Sequence, residues 1–158
     1  MMERVNAILR DPRFEDAIEG IERAEKGRAF CGHGMDHLLD VARIAYILNM
    51  ESGGAASKET IYAAALLHDT GRRLQYEDGT PHERESARLA GEILPGCGFD
   101  ESETGQILEA ILAHGAGSGD KQGLQGLLRR ADKMSRLCDK CPAKTECNWE
   151  IKNTGLEY

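Results

Sequence analysis

The run Ile61-Tyr62-Ala63-Ala64-Ala65-Leu66-Leu67 leads directly into His68-Asp69, just before Gly71. The run is apolar and helical in character, so it places an ionisable pair at the edge of a core. Buried charge and unpaired polar groups cost several kcal/mol unless a partner or a metal satisfies them. Adjacent helical residues do not face each other, but near a helix end they can converge on one ion. Further residues of ligand type follow the same logic. His33 and His37 precede the pair, and His82, His114 and Asp132 come after it. All five histidines of the chain belong to this series. A metal site is the first expectation.

At 158 residues the chain has the length of one domain and enough material for a sizeable core. A hydrophobic content of 41% with 30% charged residues is ordinary for a soluble globular protein. The net charge of −7 argues against general nucleic-acid binding, so an anionic substrate must be gripped locally. The start, Met-Met-Glu-Arg-Val-Asn, lacks the apolar stretch of a signal peptide, and no run approaches the roughly 20 apolar residues of a membrane helix. Five cysteines, an odd number, point to a reducing cytoplasm with free thiols or metal ligands.

The periodicity is helical nearly throughout. Val5, Ile8 and Leu9 mark a short amphipathic piece before Pro12, and Phe14, Ala17, Ile18 and Ile21 a second. Met35 to Met50 reads as a long helix, and Ser57 can cap another that runs to about Thr70. Thr80 suits an N-cap, with Pro81 in the first turn and Glu83 closing a capping box. Asp100 and Glu103 start a helix that ends at His114-Gly115, and a last one covers about Gln122 to Leu137. No alternating strand appears. The expected fold is all-α, a single-domain bundle of about six to seven helices over residues 1–137, followed by a cysteine-rich tail over 138–158 packed on the same domain.

These residues also carry a family resemblance. His37-Leu-Leu-Asp-Val41-Ala42, then Leu66-Leu67-His68-Asp69-Thr-Gly71, then Ala131-Asp132-Lys133 resemble the H…HD…D signature of the HD-domain metal-dependent phosphohydrolases over about residues 30–136. The resemblance implies His37, His68, Asp69 and Asp132 as primary ligands, with His68 and Asp69 at the heart of catalysis. His82 and His114 look like the two extra histidines of the family's binuclear branch, which would hold a second ion with Asp69 bridging. His33 is a candidate third-site ligand, or a group beside the metals or the substrate. Imidazole and carboxylate donors suit Mn²⁺, Fe²⁺, Zn²⁺, Co²⁺ or Ni²⁺ better than Ca²⁺. Such ions polarise a phosphoryl oxygen and lower the pKa of water toward ~7.

Arg72 and Arg73 follow the pair directly and offer a local phosphate grip, with Lys133 a further candidate. Both arginines could instead simply neutralise a helix C-terminus. Arg73 to Gly79 and Gly115 to Lys121 are the expected pocket walls.

The tail reads Cys138-Asp-Lys-Cys141-Pro-Ala-Lys-Thr-Glu-Cys147-Asn-Trp149. Its spacing suits a structural zinc or a [4Fe–4S] cluster, with Cys31 or Cys97 as fourth ligand and Cys31 the better placed. Reduced, unliganded thiols are the bland alternative, and Trp149 is expected to pack the tail down. The leading functional expectation is a phosphohydrolase acting on a small, nucleotide-like phosphate compound, with oligomerisation left open. An HD-fold di-iron oxygenase would use the same six ligands, and a metal- or redox-responsive regulatory module is a non-enzymatic third reading.

Overall fold

The computed structural model describes residues 1–114 and 122–147; within them the protein is all helix and turn, with no strand. The elements are α1 (Glu3–Leu9), α2 (Pro12–Ala24), α3 (Met35–Glu51), α4 (Lys58–Leu67), α5 (Arg72–Asp78), α6 (His82–Ile93), α7 (Glu101–Ala113) and α8 (Gly123–Met134). Short 3₁₀ turns span Leu94–Cys97 and Cys138–Lys140.

The arrangement follows from α4. Ala63, Ala64, Ala65, Leu66 and Leu67 are all fully buried, so the C-terminal half of this helix has no solvent face and must be surrounded. Helices α1, α3, α6, α7 and α8 pack on it, and α8 closes against both α3 and α7. The amphipathic helices supply one apolar face each: Leu38, Val41, Ala42, Ala45 and Leu48 from α3, and Ile107, Ala110 and Ile111 from α7. Among the described residues no helix is long and apolar enough to cross a membrane.

Side chains cap the starts of α2, α4 and α7. Ser57 accepts the Thr60 N–H at 3.1 Å, and Asp100 with Glu103 forms the full capping box ahead of α7. At α6 the expected Thr80 cap and Glu83 box do not form. Pro81, with extended backbone (ψ 115°), takes the cap position, and its carbonyl receives the Arg84 N–H at 3.1 Å. Glu83 turns to His82 instead, 3.4 Å from Nδ1. Helix α4 also stops short of Thr70, because Thr70 Oγ1 donates to the Leu67 carbonyl at 2.9 Å and the chain turns. The segment after Gly71, expected as a loop wall, is the two-turn helix α5, closed by Gly79 in the left-handed conformation (φ +82°). Helix α8 is shorter than its pattern suggested and ends at Met134. The expected wall Gly115 to Lys121 and Trp149 lie outside the described residues.

Because Ile107 is fully buried between α7 and its neighbours, Ile107→Ala should cost about 2–4 kcal/mol and lower the melting temperature by roughly 5–15 °C in calorimetry.

Candidate metal centre

His68 and Asp69 sit where the buried helix ends, and both are entirely removed from solvent. The other residues of the series arrive from different elements. His37 comes from the first turn of α3, His82 opens α6, His114 follows the last residue of α7, and Asp132 lies in the last turn of α8. Two groups result, each with ligand atoms mutually within 4.8 Å: His37, His68, Asp69 and Asp132, and then Asp69, His82 and His114.

Asp69 belongs to both groups, and its two oxygens divide the work. Oδ2 lies 3.5 Å from His37 Nε2 and 3.3 Å from His68 Nε2. Oδ1 lies 3.3 Å from His82 Nε2 and 3.6 Å from His114 Nε2. Asp132 Oδ1 completes the first group at 3.3 Å from His37 Nε2 and 3.8 Å from His68 Nε2.

The inner nitrogens are bare because the outer ones are used. His68 Nδ1–H donates to the Ala65 carbonyl at 2.7 Å, and His114 Nδ1–H donates to the Ile111 carbonyl. His37 Nδ1–H donates to Ser135 Oγ at 3.1 Å, whose own hydroxyl donates to the Asp132 carbonyl at 2.6 Å. Each ring therefore presents an Nε2 lone pair to the centre. His37 Nε2, His68 Nε2 and Asp69 Oδ2 are buried and have no hydrogen-bond partner. His82 Nε2 and His114 Nε2 stand 3.2 Å apart, within reach of one shared proton or ion. Partnerless imidazole nitrogens around one buried and one half-buried carboxylate call for cations, so the residues fit divalent metal.

The electrostatics show the same demand for positive charge, which a proton on His68 Nε2 or a cation displacing it can meet. Burial works against charge on His68, yet the Asp69 and Asp132 carboxylates push its pKa up to about 10. Burial likewise opposes ionised Asp69 and Asp132, but the surrounding imidazoles hold both well below the usual carboxylate range. His82 goes the other way: burial and the neighbouring Arg72 guanidinium lower it to about 4, leaving it neutral and able to ligate. Its place at a helix N-terminus has the same sense.

Of the expected phosphate grip, Arg72 is at the site: its Nε donates to Asp69 Oδ1 at 2.9 Å, and it lines a cavity of about 460 Å³. Arg73 is not. It leaves on the opposite side of α5, lies over Gly20, and pairs with Asp16 at 3.4 Å and Glu77 at 3.2 Å. Lys133 is half-buried in the last turn of α8, next to Asp132. His33 precedes α3, so it does not share a helix face with His37 and joins neither ligand group. Its backbone N–H and Nδ1 are both held by the Glu25 carboxylate, to which Tyr76 also donates at 2.7 Å. Those bonds keep Glu25 down at about 2 against the opposing effect of burial. The His33 and His37 rings meet edge to face, 5.7 Å between centroids, so His33 stands beside the centre and on the same cavity as Arg72.

The sequence reading missed Ser135, Glu25 and Tyr76. Ser135, three residues beyond Asp132, carries a helical signal, whereas Glu25 and Tyr76 reach His33 only through the packing of α2 on α5. It also missed the close approach at Gly71, whose N–H donates to Ser86 Oγ at 2.9 Å. A Cβ there would stand 2.4 Å from the His82 carbonyl oxygen and 2.8 Å from the Ser86 nitrogen.

A helical bundle whose most buried helix ends in such a cluster is one class of metal-binding fold. Residues 34–137 match the HD domain, and the chain belongs to that family. An uncharacterised protein of Clostridium beijerinckii is 44% identical over 161 residues, spanning 99% of this chain and 100% of its own. A ribonuclease Y of Sulfurovum is 28% identical over 103 residues, 65% of this chain and 18% of the ribonuclease. The crystal structure of a predicted HD superfamily hydrolase from an uncultured Thermotogales bacterium shares the fold, with a TM-score of 0.60 and 24% identity over 82% of this chain and 71% of that one.

Two outcomes follow for the supports of the cluster. Ser135→Ala frees the His37 ring and should weaken metal binding about 10–100-fold in a chelator-competition titration, with the fold unchanged by circular dichroism. Gly71→Ala should push the start of α6 away, costing about 1–3 kcal/mol and reducing metal retained at the Asp69, His82 and His114 group, read by elemental analysis.

Proposed function

We propose that the protein is a metal-dependent phosphohydrolase acting on a phosphate ester or anhydride of a small, nucleotide-like compound. His37, His68, Asp69 and Asp132 hold one divalent ion, and His82 and His114, sharing Asp69, hold a second. The observation that carries this reading is the division of Asp69: each oxygen faces its own set of bare Nε2 atoms. The donors suit Fe, Mn, Co, Ni or Zn. Bound there, such ions would polarise a phosphoryl oxygen and ionise water near neutral pH.

The chain's own groups supply the rest. Asp69 is held in place by Arg72, so the bridge between the two groups is fixed before substrate arrives. Arg72 donates to Gln75 Oε1 at 2.9 Å as well, and its guanidinium on the cavity is a fork for phosphate oxygens. That local charge answers the net −7 of the chain. His33, fixed by Glu25, lines the same cavity, and Phe30 on its rim offers an aromatic face for a base. A cavity of about 460 Å³ suits a small molecule rather than a duplex.

The test uses protein loaded with Mn²⁺, Co²⁺ or Fe²⁺ and measures phosphate release from aryl phosphates and a nucleotide panel. Metal-dependent turnover should fall at least about 100-fold in Asp69→Asn with the fold intact by circular dichroism. Activity that survives the substitution refutes the assignment to this site. Turnover that requires dioxygen and two irons per chain would move the reading to oxygenase chemistry on the same residues.

A further inference from the structure

Four of the five cysteines, Cys31, Cys138, Cys141 and Cys147, line the cavity that Arg72 and His33 also face. None is in a disulfide. The fifth, Cys97, is a buried core residue in the 3₁₀ turn after α6 and shows what an ordinary structural thiol looks like in this protein.

The fold makes this gathering across most of the chain. The Arg136 guanidinium donates to the Gly32 carbonyl at 2.6 Å, tying the segment after α8 to the turn before α3 and setting Cys31 opposite the tail. Cys138 and Cys141 flank a 3₁₀ turn closed by the Cys141 N–H on the Cys138 carbonyl at 3.1 Å, so both thiols issue from one rigid corner. Arg28, Arg72 and Lys144 line the cavity with the thiols, against one acid, Glu146, a balance that favours an anionic tetrathiolate centre.

Thiolates of this number select zinc or an iron–sulfur cluster, and the spacing separates the two. Tetrahedral zinc, with Zn–S near 2.3 Å, draws its sulfurs to about 3.8 Å from one another. Among the described residues no three of these thiols lie within 4.8 Å of one another. A cuboidal [4Fe–4S] cluster binds each thiolate through a different iron, so its ligands stand farther apart around a central volume. Four cysteines lining one cavity of about 460 Å³ leave room for the second arrangement. We propose that Cys31, Cys138, Cys141 and Cys147 hold a [4Fe–4S] cluster in the wall of the cavity that Arg72 also lines.

The cluster would share its cavity with the proposed substrate site, and its sulfide content is read on the full chain without any assay of hydrolysis. Protein purified without oxygen, or reconstituted with ferrous iron and sulfide, should contain about four acid-labile sulfides per chain, absorb as an iron–sulfur protein, and give a cluster signal by Mössbauer spectroscopy. Cys31→Ser, Cys138→Ser, Cys141→Ser and Cys147→Ser should each lose most of the sulfide, whereas Cys97→Ser and Asp69→Asn should keep it. One zinc per chain bound by the thiols without sulfide overturns the proposal, and so does reconstituted protein that retains no sulfide. The wild-type sulfide content decides the question even if a cysteine variant fails to fold, and the Asp69→Asn control separates failure of this site from failure of the hydrolase reading.

Discussion

Everything around the centre depends on burying the Asp69 carboxylate at the C-terminal end of an apolar helix. The end of α4 carries the partial negative charge of its own carbonyls, which adds to the cost of the ionised side chain. Water cannot reach it, so compensation has to come from positive charge nearby. At an effective dielectric near 20, one unit charge about 4 Å away contributes ~4 kcal/mol. Exposed pairs such as Arg88 with Glu85 and Glu92 are each worth about 1 kcal/mol or less, so they cannot govern the design. Four imidazoles, one guanidinium and the cations they admit do that instead.

The second requirement is direction. A histidine contributes a lone pair to the centre only if its other nitrogen is occupied elsewhere. Here that partner is a carbonyl in the turn preceding the ring for His68 and His114, and Ser135 from another helix for His37. Three of the five described ligand-bearing helices meet the centre with their C-terminal turns (α4, α7 and α8), whose carbonyl ends favour positive charge. Helix α6 meets it with its N-terminus, which keeps His82 unprotonated. The absence of a side chain at Gly71 lets α6 come close enough for His82 to share Asp69.

Arg72 joins two regions that look separate along the chain. It holds Asp69 on one side and faces the cysteine-lined cavity on the other, with His33 alongside. The cavity therefore has Arg72, the neighbour of the His/Asp cluster, in its wall together with residues beyond position 137, where the HD-domain match stops. The chain adds its own wall to a scaffold that it shares with the family.

Periodicity and the caps at Ser57 and Asp100 made the helices readable, and the order His37, His68-Asp69, Asp132 announced the cluster, because ligand spacing along helices is a local property written directly in residue type. Thr80 misled, since capping preference gave way to a proline whose extended backbone took the cap position. Arg72 and Arg73 could not be told apart in the chain; their opposite fates follow from which side of α5 packs against α2, a matter of docking rather than composition. The same holds for Glu25 on His33, Ser135 on His37, and Cys31 across from the tail. Residue identity determined that this protein would bury imidazoles and carboxylates in a helical core. Which nitrogens point inward, which arginine reaches the carboxylate, and which thiols share a cavity were decided by packing, because each depends on atoms brought together from distant parts of the chain.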